Sequence, residues 1–262
     1  MKAALLALAA SVLALQPPKQ KPELPPRPTI KQEDREKLMS LTDVLGVAAL
    51  SSASDWAAAF YTKKTHPVSN TSALQTLYGM SDARSRPPSR QRNGDIAEYD
   101  LLKKFRPGIE KTFNAAANFS ASSPVSYFAD NENFRFASSS GKTVGILIAT
   151  TKDRLNKSKL DEHARAAKAV NDYAMPLTES FTDFAKGPAP DYLGILVAYG
   201  IQSSDDPKTT QPFGESIALI WESKSLTDLK AGTITRQQFI DRAQIYSSPI
   251  GTFDLKKITL KP

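Results

Sequence analysis

Val125-Ser126-Tyr127-Phe128, Asn133-Phe134-Arg135-Phe136 and Thr143-Val144-Gly145-Ile146-Leu147-Ile148-Ala149 follow one another along a single short stretch of the chain. The first two segments carry the alternation and aromatic content of half-buried strands, and the third is almost wholly apolar. Asp130-Asn131 separates the first pair and Ser139-Ser140-Gly141 the second. Both separators hold residues that favour turns, because their short polar side chains or missing Cβ tolerate a left-handed backbone. Three strands joined by tight turns predict an antiparallel meander, and this meander decides the fold class.

Two further apolar strands are predicted downstream, Tyr192 to Tyr199 and Ser216 to Trp221, joined by a polar loop from Gln202 to Gln211. The runs 144–149, 193–198 and 217–221 show little alternation, as expected of central strands covered on both faces. Ser158-Lys159-Leu160-Asp161 has the form of a capping box. A stripe at helical spacing follows it: Leu160, Ala164, Ala167, Val170 and Ala174. Pro176 is expected to end or kink this helix, since it lacks the N–H donor and crowds the preceding turn. Leu177 to Phe184 continues after the kink. Thr235-Arg236-Gln237-Gln238 is a second capping box, opening a helix with Phe239, Ile240 and Ala243 on its apolar side. Thr252 to Leu260 alternates loosely, as a final edge strand would.

Upstream of the meander the period changes from two to about 3.6. Leu38, Leu41, Leu45 and Ala48 share a helix face. Shorter helical pieces are expected over 55–61 and 72–80. Asp95 to Phe105 reads as a helix broken at Pro107-Gly108, and Ile109 to Asn118 as the next one. The fold class is therefore α+β: a helical N-terminal half packed on a mainly antiparallel sheet of about five to six strands, with β-β-β-α-β-β-α order in the C-terminal half.

The chain begins Met1-Lys2 and runs through uncharged, apolar residues from Ala3 to Leu15. One basic residue before about a dozen apolar ones matches a signal peptide and is too short to span a bilayer comfortably. Residues 1–16 are assigned as that signal, with Val12-Leu13-Ala14 as the peptidase site. Residues 17–29 hold six prolines, so 17–31 reads as an extended proline-rich linker. Residues 32–122 form the helical region and 123–262 the sheet region, together one compact domain. No transmembrane span is expected in the mature chain.

The chain has 262 residues, no cysteine and a net charge of +7. A chain this long buries a core without disulfides. Excess positive charge favours anionic surfaces. Together with export, it points to an anionic wall polymer, lipid headgroups or an envelope protein as partner, and argues against nucleic acid. Arg84, Arg86, Arg90 and Arg92 lie in a loop, Ser81 to Asn93, with almost no apolar residues. Guanidinium forks pair with carboxylate and phosphate, so these four are the candidate ligand-binding residues.

Catalytic patterns fail in particular ways. Ser139-Ser140-Gly141-Lys142-Thr143 is no phosphate loop, because Phe136 stands where the first glycine belongs and a strand follows instead of a helix. As a Ser-x-x-Lys nucleophile pair, Ser139 and Lys142 straddle a predicted turn rather than opening a helix. His66 and His163 are the only histidines, and neither belongs to a metal-ligand spacing. Asp161-Glu162 suit a helix start, and Asp205-Asp206 a loop. No catalytic residue, metal or cofactor is assigned. The sequence points to an exported, non-catalytic α+β protein, periplasmic or secreted, that binds a partner, ligand or anionic polymer. A secreted hydrolase with a site assembled from distant residues is the alternative.

Overall fold

The computed structural model describes residues 37–50, 94–122, 127–128, 134–202, 213–248 and 255–260. The expected helices over 55–61 and 72–80, the arginine loop, the 202–211 loop and most of the N-terminal region lie outside these residues.

All three expected strands form, but they do not make the expected meander. β2 (Phe134–Ser139) and β3 (Lys142–Asn156) form a hairpin in which Ser139 faces Lys142. Its two-residue loop is Ser140-Gly141, with φ of 51° and 75°. Two consecutive left-handed residues match the right-handed twist of the flanking strands. β1 (Tyr127–Phe128), however, pairs with Thr150 and Thr151 of β3 and not with β2. The reason is length: β3 has 15 residues and offers one edge to both partners, end to end. The apolar run ends at Ala149, and the second half of β3, Thr150 to Asn156, is polar and carries no simple alternation.

β4 (Tyr192–Gln202), β5 (Phe213–Glu222), β6 (Gln244–Ser248) and β7 (Lys256–Ile258) complete a sheet of order β1-β3-β4-β5-β6-β7. β3 and β4 run parallel, and the other described pairs are antiparallel. The fold is α+β, with helices toward the N-terminal half and most strands C-terminal. β6 was not anticipated; it follows directly on a helix and is too short to show a period.

β3, β4 and β5 are central and covered on both faces. On one face Leu147, Leu193, Ile195, Val197, Ile217, Leu219 and Trp221 enter the main core. On the other, Val144, Ile146, Leu196, Ala218 and Ile220 meet Leu41, Val44, Leu45 and Ala48 of helix α1, residues 41–50. Ser40 precedes α1 and its hydroxyl accepts from the Asp43 amide, an N-terminal cap.

Helix α2 (Asp95–Ser122) is continuous through Pro107. The proline forfeits one helical hydrogen bond but does not end the helix, because tertiary packing holds both halves. Leu102, Phe105, Ile109 and Phe113 are all buried along one stripe. Gly108 is part of the reason: a Cβ there would lie 2.8 Å from the Phe184 ring. The bare backbone lets that ring seat on the helix, where Phe184 also stacks on Phe134 with centroids 6.0 Å apart. The aromatic chain continues through Phe181 and Trp221 to Phe239, each neighbouring pair within 6.4 Å. Such pairs contribute about 0.5–1.5 kcal/mol each beyond their area burial.

The β3–β4 connection begins with helix α3 (Glu162–Ala169). Its cap is Asp161, whose carboxylate accepts the Ala164 amide at 2.8 Å, and not Ser158, which lies in the preceding turn. Asp161 wins because the strand runs on to Asn156, leaving room for a turn before the helix. The helix then widens into a π turn (Val170–Ala174), narrows through α4 (Met175–Leu177) and a 3₁₀ turn (Thr178–Phe181), and ends in α5 (Thr182–Lys186). Pro176 explains the widening. Its ring crowds the carbonyl four residues earlier, that of Asp172, and the wider π turn relieves the clash. Helices α6 (Ser223–Lys230) and α7 (Arg236–Arg242) link β5 to β6. α7 has the full reciprocal capping box between Thr235 and Gln238 that its sequence predicts. Among the described residues no helix is long and apolar enough to cross a membrane.

Candidate functional site

In open parallel α/β sheets ligands bind beyond the carboxyl ends of the strands. Here that end belongs to β3 and β4, the only parallel pair among the described strands. Both strands deliver polar groups to it.

β3 is irregular as it reaches this end. Thr150 faces Ala198 and Arg154 faces Gly200, so Thr151 to Asp153 stand opposite Tyr199 alone. This is a β-bulge, a device that re-aims side chains and is common beside functional sites. The buried Thr151 hydroxyl accepts the Asp153 amide at 3.2 Å, fixing the bulge.

Tyr199 and Glu215 face each other across β4 and β5. The Tyr199 hydroxyl donates to Glu215 Oε2 at 3.0 Å. Arg165, one helical turn into α3, reaches the same carboxylate with two donors: Nε to Oε2 at 3.0 Å and Nη2 to Oε1 at 2.7 Å. Its Nη1 donates to the Leu160 carbonyl at 2.7 Å. The side chains of Arg165 and Glu215 are 11% and 7% exposed, so the pair is bidentate and largely dry. Hydrogen bonding to Glu215 raises the Arg165 pKa further, against the opposing effect of burial. Burial, and then the adjacent Glu215 charge, push the Tyr199 hydroxyl well above its ordinary value. Tyr199 therefore stays protonated and acts as a donor.

The π turn brings Tyr173 into the cluster, with its ring centroid 5.8 Å from that of Tyr199. Burial raises the Asp153 pKa, Lys168 and Tyr173 oppose the rise, and Asp172 adds to it. Lys168 and Asp172 are themselves ion-paired along the helix, at the partly exposed rim. Just beyond β3, the Lys157 amide donates to the Gln202 carbonyl at 2.9 Å, tying the strand ends together. The side chains of Lys157 and Lys159 are exposed there.

The site was assembled by tertiary structure and was not singled out in the sequence. Tyr199 ends one predicted strand, and Glu215 lies just before the next, Ser216 to Trp221. Only the β4–β5 register makes them partners, and that register was a usable signal: an acid and a tyrosine on the same face of adjacent strands. Asp153 sits in the polar half of β3, beyond the apolar run that ends at Ala149.

The residues singled out in advance fare differently. Arg84, Arg86, Arg90 and Arg92 lie outside the described residues, as do His66, Asp205 and Asp206. Ser139 and Lys142 are paired neighbours flanking the hairpin loop, and the Lys142 ammonium sits over the Tyr192 ring at 5.3 Å. They form a hairpin turn, as its residues predicted. His163 is exposed on α3, and Asp161 is the α3 cap. Among the described residues no cluster of His, Cys, Asp or Glu is suited to a metal ion.

A second buried pair lies far along the chain from this one. Arg135 of β2 donates to Glu98 of α2 through Nε at 2.6 Å and Nη2 at 3.0 Å. Glu98 also accepts the Phe136 amide at 3.0 Å. These bonds clip the start of α2 to β2.

Comparison with protein-family models, with curated proteins and with solved structures finds no match to this chain.

Proposed function

We propose that the protein is exported and non-catalytic, and that it binds an anionic partner, a wall polymer or lipid headgroups, at the carboxyl end of β3 and β4. Export rests on the apolar run from Ala3 to Leu15 after Lys2. The observation that carries the binding reading is how this end distributes its charge. Both oxygens of Glu215 are committed to Arg165 and Tyr199, while the exposed Lys157 follows directly on β3. A carboxylate so engaged is a poor base or nucleophile. Exposed ammonium groups on a chain of net charge +7 favour anions. The loop arginines, Arg84, Arg86, Arg90 and Arg92, are a further contributor in this reading.

The test is sedimentation with phosphatidylglycerol vesicles and with purified anionic wall polymer, using phosphatidylcholine vesicles as reference. Binding to the anionic probes that weakens with added salt supports the proposal. Equal binding to neutral and anionic vesicles refutes it.

One observation favours the second reading, a secreted hydrolase: Asp153 holds its proton more readily than an ordinary aspartate, as a general acid does. Under that reading Asp153→Asn abolishes turnover of chromogenic ester, glycoside or peptide substrates.

A further inference from the structure

The π turn relieves one difficulty posed by Pro176 and creates another. Within it the Met175 amide donates to the Val170 carbonyl, five residues back. The Asn171 carbonyl, next in line, needs the amide of residue 176, and proline has none. A helical carbonyl without its donor has to find another partner. Here the partner comes from a different part of the chain. Arg236, the first residue of α7, donates through Nη2 to the Asn171 carbonyl at 2.7 Å. The same nitrogen lies 3.3 Å from Asn171 Oδ1. The Asn171 side chain is itself fixed, because its Nδ2 donates to the Ala167 carbonyl at 3.0 Å. Arg236 thus holds both the backbone and the side chain of one residue in the π turn.

Two residues further on, the Tyr173 ring lies against the Tyr199 ring, and the Tyr199 hydroxyl donates to Glu215. A π turn carries one residue more than an α turn. Its collapse to α geometry would rotate Tyr173 about the helix axis and away from the Tyr199 ring. We propose that Arg236 is a positioning residue for the candidate site: it caps the carbonyl that Pro176 leaves without a donor, holds the π turn in its wide form and so keeps Tyr173 seated on Tyr199. α7 is coupled through this side chain to the carboxyl end of β3 and β4. The inference goes beyond the binding reading and does not depend on it, since it concerns what shapes this end and not what binds there. Arg236 and Asn171 are both exposed, so the cap can be lost without opening the core.

The experiment compares the full chain with its Arg236→Ala and Arg236→Lys variants by amide hydrogen exchange and by NMR contacts between the two tyrosine rings. In Arg236→Ala the Met175 amide should exchange several-fold faster and the Tyr173–Tyr199 ring contacts should weaken, while Leu196 in the centre of β4 exchanges as in the wild type. Arg236→Lys keeps the charge and a shorter donor, and should fall between the two. Either readout unchanged in Arg236→Ala overturns the proposal, and so does an equal acceleration at Leu196, which marks a general loss of stability. In a Pro176→Ala background, residue 176 regains an amide for the Asn171 carbonyl, and the effect of Arg236→Ala on Met175 should shrink. An undiminished effect there refutes the role given to the proline. Vesicle binding enters none of these readouts, so failure of this proposal and failure of the binding reading are distinguishable.

Discussion

Among the described residues two buried Arg–Glu pairs have nearly the same geometry in different settings. Arg135 and Glu98 join the first turn of α2 to β2, with side chains 5% and 10% exposed. The Glu98 carboxylate also takes the Phe136 amide, so the pair is locked into the backbone of a sheet strand. Arg165 and Glu215 are as tightly bonded, but they share their carboxylate with a tyrosine side chain and sit where a β-bulge and a π turn meet. The first pair fastens two regular elements. The second is the floor of an irregular, polar end of the sheet. Identical chemistry therefore joins two regular elements in one place and ties a helix to the sheet at an irregular end in the other, and what distinguishes them is the regularity of the backbone around them.

Breaking the first pair should give the largest effect. Glu98→Ala leaves a guanidinium buried without its partner and should cost about 3–5 kcal/mol in denaturant unfolding. Replacing both residues together, Glu98→Leu with Arg135→Met, should recover part of that loss, because an apolar pair leaves no uncompensated charge but still orphans the Phe136 amide. If the double variant is as unstable as the single one, the pair is not the simple clip described. Gly108→Ala is an independent check on the same docking of α2. Its Cβ would press on the Phe184 ring, a loss of about 1–3 kcal/mol by overpacking. At the second pair, Tyr199→Phe removes one hydrogen bond to a charged acceptor and leaves the Arg165 fork in place. The cost should be about 1.5–3 kcal/mol, with the site's backbone unchanged by crystallography or NMR. The smallest effect on stability should come from Lys157→Gln with Lys159→Gln, within about 0.5 kcal/mol, since both side chains are exposed.

The comparison also shows what a sequence can disclose. The central strands were legible because three apolar runs lack alternation, and the β2–β3 hairpin because Ser140-Gly141 accepts positive φ. The α7 capping box was legible because its signals lie within four residues. The break expected at Pro107 did not occur, since the stripe from Leu102 to Phe113 holds α2 against the core on both sides of it. The α3 start was misplaced by three residues because β3 extends past its apolar half into a bulge whose polar residues hide the strand period. The candidate site was the least legible part. Arg165, Tyr173, Tyr199 and Glu215 are spread over 50 residues and meet only through register and the π turn. No local pattern encodes that meeting.

We propose that the carboxyl end of β3 and β4 is a binding surface for an anionic partner. It is tested most directly by vesicle sedimentation of wild type and the Lys157→Gln, Lys159→Gln variant on phosphatidylglycerol, with thermal unfolding of both chains alongside. The account predicts a clear loss of vesicle binding with an unchanged melting temperature. Retained binding by the variant would contradict it.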